Sequence, residues 1–251
     1  MTAYKDIKRS NWSNYSRTNN EYFISFLNLT QYIDFNLVVY LEEDIYRELS
    51  KFKFNSNIIF KNLNNVNTFF DKYLQTEKLI MNSECYKNKI PYSRKTNPEH
   101  IYAEYNLINH SKINFISNTK KIFNYDFFAW IDFGYVRDLT TIPVKKNINV
   151  SLLPEKIIYH YLKYPDLNNI VNPNAMLKSE DIYLTGSSFI VPNSLVENFE
   201  MLYENKINVF HNDYICDDDQ NLVLQLYYDK PELFHIIYNE KWFSLFCILP
   251  K

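Results

Sequence analysis

The sequence predicts an α/β protein with a mostly parallel central sheet flanked by helices, and three observations carry that expectation. Apolar segments of strand length alternate with segments of helical period. FFAWI (127–131) is apolar in unbroken succession, as in a strand covered on both faces near the middle of a sheet. No Pro/Gly/Ser-rich linker and no solenoid-length repeat divides the 251 residues, so residues 1–251 are expected to form a single domain.

The elements follow in order. EYFISFLNLTQYI (21–33) sets Phe23, Phe26, Leu27, Leu29 and Ile33 on one helical face. FNLVVYL (35–41) is a buried strand that runs into acids, EDIYRELSKF (43–52) a second helix, SNIIFKNL (56–63) a short strand and NTFFDKYLQTEKLIM (67–81) a longer helix. The polar loop NKIPYSRKTNPEH (88–100) turns helical from about Glu99, since Pro98 and Glu99 suit a first turn. Then comes the strand that ends in Asp132. IIYHYLKY (157–164) and DIYLTGSSFIVP (181–192) are further strands, and SLVENFEMLYENKI (194–207) is a helix. In DDDQNLVLQLYYDKPELFHIIYNEKWF (217–243) a helix starts near Gln220, and Lys230-Pro231 stops it.

Composition excludes several classes. A formal net charge of -2 lacks the basic surplus that neutralises a phosphate backbone, which disfavours nucleic acid as a partner. No apolar run approaches the roughly 20 residues that span a bilayer, and MTAYKDIKRSNW lacks a signal-peptide core, so a soluble intracellular protein is expected. Cys85, Cys216 and Cys247 lie far apart without metal-ligand spacing and read as buried or incidental thiols.

Glycine is the compositional anomaly. At average usage of about 7% a chain this long would hold roughly 18, yet it has Gly134 and Gly186 alone. Gly134 follows a strand that delivers Asp132 at its carboxyl end, the edge at which open α/β sheets bind ligands. There a carboxylate can hold a divalent cation, and a glycine lets the backbone turn or approach a ligand. The same residues also suit a plain Asp-x-Gly turn.

Five segments, TAYKDIKRSNW (2–12), IPYSRKTNPEHIYAEYN (90–106), FFAWIDFGYVR (127–137), LTGSSFIVP (184–192) and DDQNLVLQLYYDKPELFHIIYNEKWF (218–243), resemble the HtrL/YibB family in order over nearly the whole chain. That family is associated with bacterial surface polysaccharides, and its members are regarded as candidate glycosyltransferases with a GT-A-like fold. The resemblance implies transfer of a sugar from a nucleotide-diphospho-sugar donor to a glycan or lipid-linked glycan in lipopolysaccharide or capsule biosynthesis. It also implies a cytoplasmic location, with room for peripheral association at the inner face of the membrane. Two departures stand out. Met1 directly precedes Thr2, where the family usually has a few more apolar residues, so either the start is truncated or the first strand is very short. Asp132-Phe133-Gly134 stands where a GT-A metal signature often has a second aspartate.

The resemblance assigns site residues. Thr2, Ala3, Tyr4 and Arg9 would lie by the nucleotide, with the Arg9 guanidinium matched to a diphosphate. Arg94 and Lys95 would clamp phosphate or touch the acceptor. Trp130, Asp132, Gly134, Gly186 and Gln220 would line the donor. Asp219, or second Asp218, would act as catalytic base or orient the donor sugar, although an acidic run also caps a helix. Asp132, with His235 as a weaker second ligand, would hold Mn²⁺ or Mg²⁺. Trp242 would stack on a sugar or fill the core, and His110 and His211 carry no assignment. Two rivals are a metal-dependent phosphoesterase, with His211, Asp213 and Asp217–Asp219 around two ions, and a non-catalytic glycan-binding or assembly protein.

Overall fold

In a computed structural model, residues 1–33, 35–54, 57–137, 148–165, 172–179 and 181–249 are described. Their strands are β1 (Thr2–Tyr4), β2 (Leu37–Leu41), β3 (Ile58–Asn62), β4 (Phe127–Ile131), β5 (Ile157–Tyr161), β6 (Ser188–Pro192) and β7 (Phe234–Tyr238). β1, β2 and β3 form a parallel sheet in that order. The second sheet runs β4-β6-β5-β7, with β6 antiparallel to both neighbours and β7 parallel to β5. Met1 joins the two. Its carbonyl accepts the Ile131 N–H at 2.9 Å and its nitrogen donates to the Ala129 carbonyl. The spatial order is therefore β3-β2-β1-β4-β6-β5-β7, and β4 is central, as its unbroken apolar run predicts.

Strand side chains alternate between two cores, as a pleated sheet requires. Val38, Tyr40, Phe128, Trp130, Tyr159, Phe189 and Val191 enter one core; Leu37, Val39, Leu41, Ile131, Ile158 and Ile190 enter the other. Helices α1 (Asn19–Tyr32) and α2 (Glu43–Leu49) cover the second face. Helices α3 (Phe69–Asn82), α4 (Ala103–His110), α5 (Lys112–Lys120), α6 (Val196–Asn212) and α7 (Asp219–Asp229) cover the first. Local signals set their starts: Thr18 and Glu21 form a reciprocal capping box on α1, and Thr68 caps α3. None of the described helices is long and apolar enough to cross a membrane.

Two differences from the sequence reading bear on the site. The helix expected from about Glu99 is a single turn, Pro98–Ile101, followed by α4 and α5. At the α4–α5 break, Ser111 Oγ accepts the Phe70 N–H at 3.0 Å and donates to the Leu107 carbonyl at 2.6 Å, so the junction is tied inward and α5 starts at Lys112. The strand β7 has no counterpart in the sequence reading. It forms because Ile157–Tyr161 offers a parallel partner, a non-local pairing that five residues after a proline do not advertise.

Candidate active site

β1 and β4 lie side by side, but the chain leaves β1 towards β2 and leaves β4 towards the other half of the sheet. Such a switch point opens a crevice at the strands' carboxyl ends. A cleft of about 150 Å³ occupies it, lined by residues that include Tyr4, Arg9, Arg17, Lys112, Asp132 and Asp219.

Alternation places Asp132. Ile131 and Phe133 point into one core, where Phe133 stacks on Phe26 and Tyr4 at centroid distances of 4.3 and 4.9 Å, so the carboxylate between them faces the cleft. Its N–H donates to the Ser187 carbonyl at 2.9 Å, and Trp130 Nε1 donates to its Oδ1 at 2.8 Å. Among the described residues Oδ2 has no hydrogen-bond partner, and the side chain is 36% exposed.

Behind Asp132 lies Lys112, which the sequence reading missed. Its ammonium donates to Asp219 Oδ2 at 2.8 Å and to the Gly186 carbonyl at 2.8 Å, and stands 3.3 Å from Asp132 Oδ1. Burial works against this charge, but Asp132 and Asp219 together outweigh it and hold the amine above its ordinary value. Burial likewise pushes the Asp219 carboxyl up, with Lys112 pulling the other way. Glycine at 186 is what admits Asp219: a Cβ there would stand 2.3 Å from Asp219 Oδ2.

The opposite wall is positive. The loop after β1 carries Arg9 and Arg17 through two non-glycine residues in left-handed conformation, Lys8 (φ 57°) and Tyr15 (φ 57°), a strain that concentrates at functional loops. Arg9 donates to the Tyr15 carbonyl and the Tyr22 hydroxyl, both at 2.9 Å, and lies over Trp12. Arg17 donates to Ser25 Oγ at 2.8 Å and lies 4.1 Å over the Tyr22 ring. Arg137 lies over Phe243 and also borders the cleft. Burial, then the charges of Arg137 and Arg9, lower the Arg17 pKa against the pull of Tyr22. Neither Arg9 nor Arg17 meets a carboxylate among the described residues. Gly134 makes room here, since a Cβ would stand 2.6 Å from Arg17 Nη1 and 3.1 Å from the Tyr22 ring. Neither glycine has positive φ; each is needed for space, not for a turn.

The expected residues are thus partly gathered. Ala3, Tyr4, Arg9, Trp130, Asp132, Gly134, Gly186, Asp219, Gln220 and Trp242 border the cleft. Thr2 is wholly buried in β1. Asp218 is the N-cap of α7, accepting the Gln220 N–H at 3.1 Å, and Asp217 accepts from Asn221 Nδ2 at 2.7 Å. Arg94 is an internal strap: Nη1 donates to the carbonyls of Met176, Leu177 and Ser179 at 2.7–3.2 Å, and Nη2 to Glu99 at 3.0 Å. Its neighbour Lys95 is exposed beside a separate surface hollow with Tyr86 and His100. His235 is exposed on β7, outside the cleft lining.

The two-ion cluster of the phosphoesterase rival is not assembled. Asp217, Asp218 and Asp219 turn to Asn221, to the helix end and to Lys112, while His211 faces Glu77 at 3.6 Å. A larger cavity of about 800 Å³ lies towards the amino end of β4, lined mainly by apolar groups such as Phe35, Phe127, Phe128 and Phe246; among the described residues no cluster of charges converges there.

Fold and cleft define an α/β protein with a charge-lined crevice at the carboxyl edge of its sheet. Residues 1–250 match the family described as "Bacterial protein of unknown function (HtrL_YibB)", and the chain belongs to that family. Protein HtrL of Escherichia coli (strain K12) is 22% identical to it over 259 residues, covering 98% of this chain and 90% of the relative.

Proposed function

We propose that the chain is a glycosyltransferase of GT-A-like architecture that takes a sugar from a nucleotide-diphospho-sugar and passes it to a bacterial surface glycan or its lipid-linked precursor. One observation carries this reading: the guanidinium groups of Arg9 and Arg17, neither of which meets a carboxylate among the described residues, gather beside an available carboxylate oxygen at the sheet's switch point. Like charges held together cost free energy unless an anion offsets them, and guanidinium forks match phosphate oxygens. The enclosed volume, about 150 Å³, is below the roughly 300–1,000 Å³ of sites that engulf a drug-sized ligand. The cleft therefore takes the diphosphate and the adjoining edge of the sugar, and the nucleoside lies over the open mouth.

In this reading the arginines offset the charge that builds on the departing nucleoside diphosphate. Asp219, held through Oδ2 by the Lys112 ammonium at 2.8 Å, orients a sugar hydroxyl. Asp132 Oδ2 binds a donor hydroxyl. Among the described residues it is also the cleft's open carboxylate oxygen, suited to Mn²⁺ or Mg²⁺, and a single carboxylate suffices only when phosphate oxygens and water complete the shell. Such an ion would add charge neutralisation at the diphosphate.

Calorimetry against a panel of nucleotide sugars, with and without Mn²⁺, tests the proposal. At least one donor is expected to bind, and Asp132→Asn to weaken it while the fold persists. Absence of binding by every donor in both conditions would sink the reading, as would an Asp132→Asn variant with unchanged binding and donor hydrolysis.

A further inference from the structure

On the far side of α4 from the cleft, three potential ligands converge from elements distant in sequence. Glu77 comes from α3, His211 from the last turn of α6, and Cys216 from the segment leading into α7. One donor atom from each lies within 4.8 Å of the other two. We infer that Glu77, His211 and Cys216 form a binding site for a divalent transition-metal cation of the zinc class, separate from the anion cleft.

The buried carboxylate is the strongest indication. Glu77 is 0% exposed. Its Oε1 accepts from Asn106 Nδ2 at 2.8 Å, but among the described residues its Oε2 has no hydrogen bond, its nearest polar neighbour being His211 Nε2 at 3.6 Å. A buried carboxylate oxygen without a donor is costly, and a cation is one of the few groups that offsets it. The Cys216 thiol, 2% exposed, also points at this residue, 3.9 Å from the Glu77 carbonyl. Burial, then the charge of Glu77, disfavours its thiolate; a bound dication reverses that balance, since thiolate is the metal-binding form.

The donor set selects the metal class. Carboxylate oxygen, imidazole nitrogen and thiolate sulfur together suit Zn²⁺ and its spectroscopic substitute Co²⁺, not the all-oxygen preference of Mg²⁺ or Ca²⁺. Bonds of about 2.0–2.3 Å put tetrahedral ligands roughly 3.3–3.8 Å apart, so the present spacing must close by about an ångström, within reach of side-chain rotation. The ion would tie α3 and α6 to the segment Cys216–Asp219, three residues upstream of the carboxylate that meets Lys112. Its task is to brace that segment. Cysteine spacing alone concealed the site, because its ligands lie 134 and 5 positions apart.

The test is Co²⁺ titration of the reduced full chain, read by absorption. Expected are saturable uptake of about one equivalent and the intense near-ultraviolet band of thiolate-to-cobalt charge transfer. Cys216→Ala should abolish the band, and His211→Ala should weaken binding by roughly tenfold or more. Cys85→Ala, at an exposed thiol, and Asp132→Asn should leave both unchanged, which separates this site from the cleft. Circular dichroism establishes that each variant is folded, and the wild-type titration decides uptake without any variant. No saturable uptake, a band that survives Cys216→Ala, or a band lost in Cys85→Ala would overturn the inference.

Discussion

Substituting the two glycines by alanine should produce opposite kinds of damage. In Gly186→Ala the new methyl would stand 2.3, 2.6 and 2.7 Å from Asp219 Oδ2, Oδ1 and Cγ. Asp219 is short, 5% exposed, and held by Lys112 at 2.8 Å, so it cannot give way without releasing a buried ion pair. Breaking such a pair costs about 3–5 kcal/mol, and partial relaxation places the expected loss near 3 kcal/mol. For a domain of this size that is a fall in Tm of about 6–12 °C. In Gly134→Ala the nearest atom, 2.6 Å away, is Arg17 Nη1, the far end of a long side chain in a solvent-facing cleft. Moving it should cost the fold less than about 1 kcal/mol, yet it displaces a proposed phosphate ligand. Calorimetric melting of both variants, with titration of a nucleoside diphosphate, measures the contrast. Equal losses of stability, or a Gly186→Ala protein that melts within a degree of wild type, would refute the argument that Asp219 is locked against residue 186.

Other consequences can be checked alongside. Arg17→Ala should weaken nucleoside diphosphate binding by roughly 10- to 100-fold, since a hydrogen bond to a charged group contributes about 1.5–3 kcal/mol, with little change in Tm. Arg94→Ala should do the reverse, lowering stability by about 3 kcal/mol through the stranded carbonyls of Leu177 and Ser179 and a Glu99 left without its guanidinium, while leaving binding intact. His100 adds a pH dependence. Burial and, less strongly, Arg94 lower its pKa to about 4 against the pull of Glu99, and Tyr86 hydroxyl bonds its Nδ1 at 3.0 Å. The unfolded chain binds that proton near pH 6.5, so the stability is complete above this value and drains as pH falls towards 4. At pH 5 the loss through His100 is about 2 kcal/mol; burial also lowers the pKa of His110 and His160, so urea titrations at pH 5 and 7.5 should show wild type losing about 2 kcal/mol more than His100→Gln.

Much of the cleft is legible in the sequence because strand ends are. An aspartate after an unbroken apolar run has one place to go when its neighbours Ile131 and Phe133 are committed to the core, and Gly134 and Gly186 mark close approaches. Charges in loops are harder. Arg94 and Lys95 are adjacent, yet one reaches inward to three carbonyls and the other points to solvent; only the fold of residues 176–179 decides that. The same holds for Asp217–Asp219, which diverge as the chain enters α7. Arg17 left no signal, being placed by a left-handed Tyr15 and a ring in α1. Lys112 did leave one: it shares a helical face with Phe115, Ile116 and Thr119, all buried, and a lysine on an apolar face has to find carboxylates or leave the core.

The scarcity of glycine gives the cleft its sharpest physical reading. A chain that dispenses with glycine at nearly every turn retains it at two positions, and neither uses the conformational freedom that distinguishes the residue. Both lie at the same crevice and both are occupied by charge: a guanidinium packs where one Cβ would be, a carboxylate where the other would be. A Cβ at residue 134 would push the positive wall away from Asp132, and a Cβ at residue 186 would push Asp219 off Lys112. Each glycine thus holds an ionic group close to backbone, where charge acts at short range. That requirement is the one the proposed binding of a highly charged ligand imposes; packing a core has no need of it, since an apolar neighbour at either position could be exchanged for a smaller one.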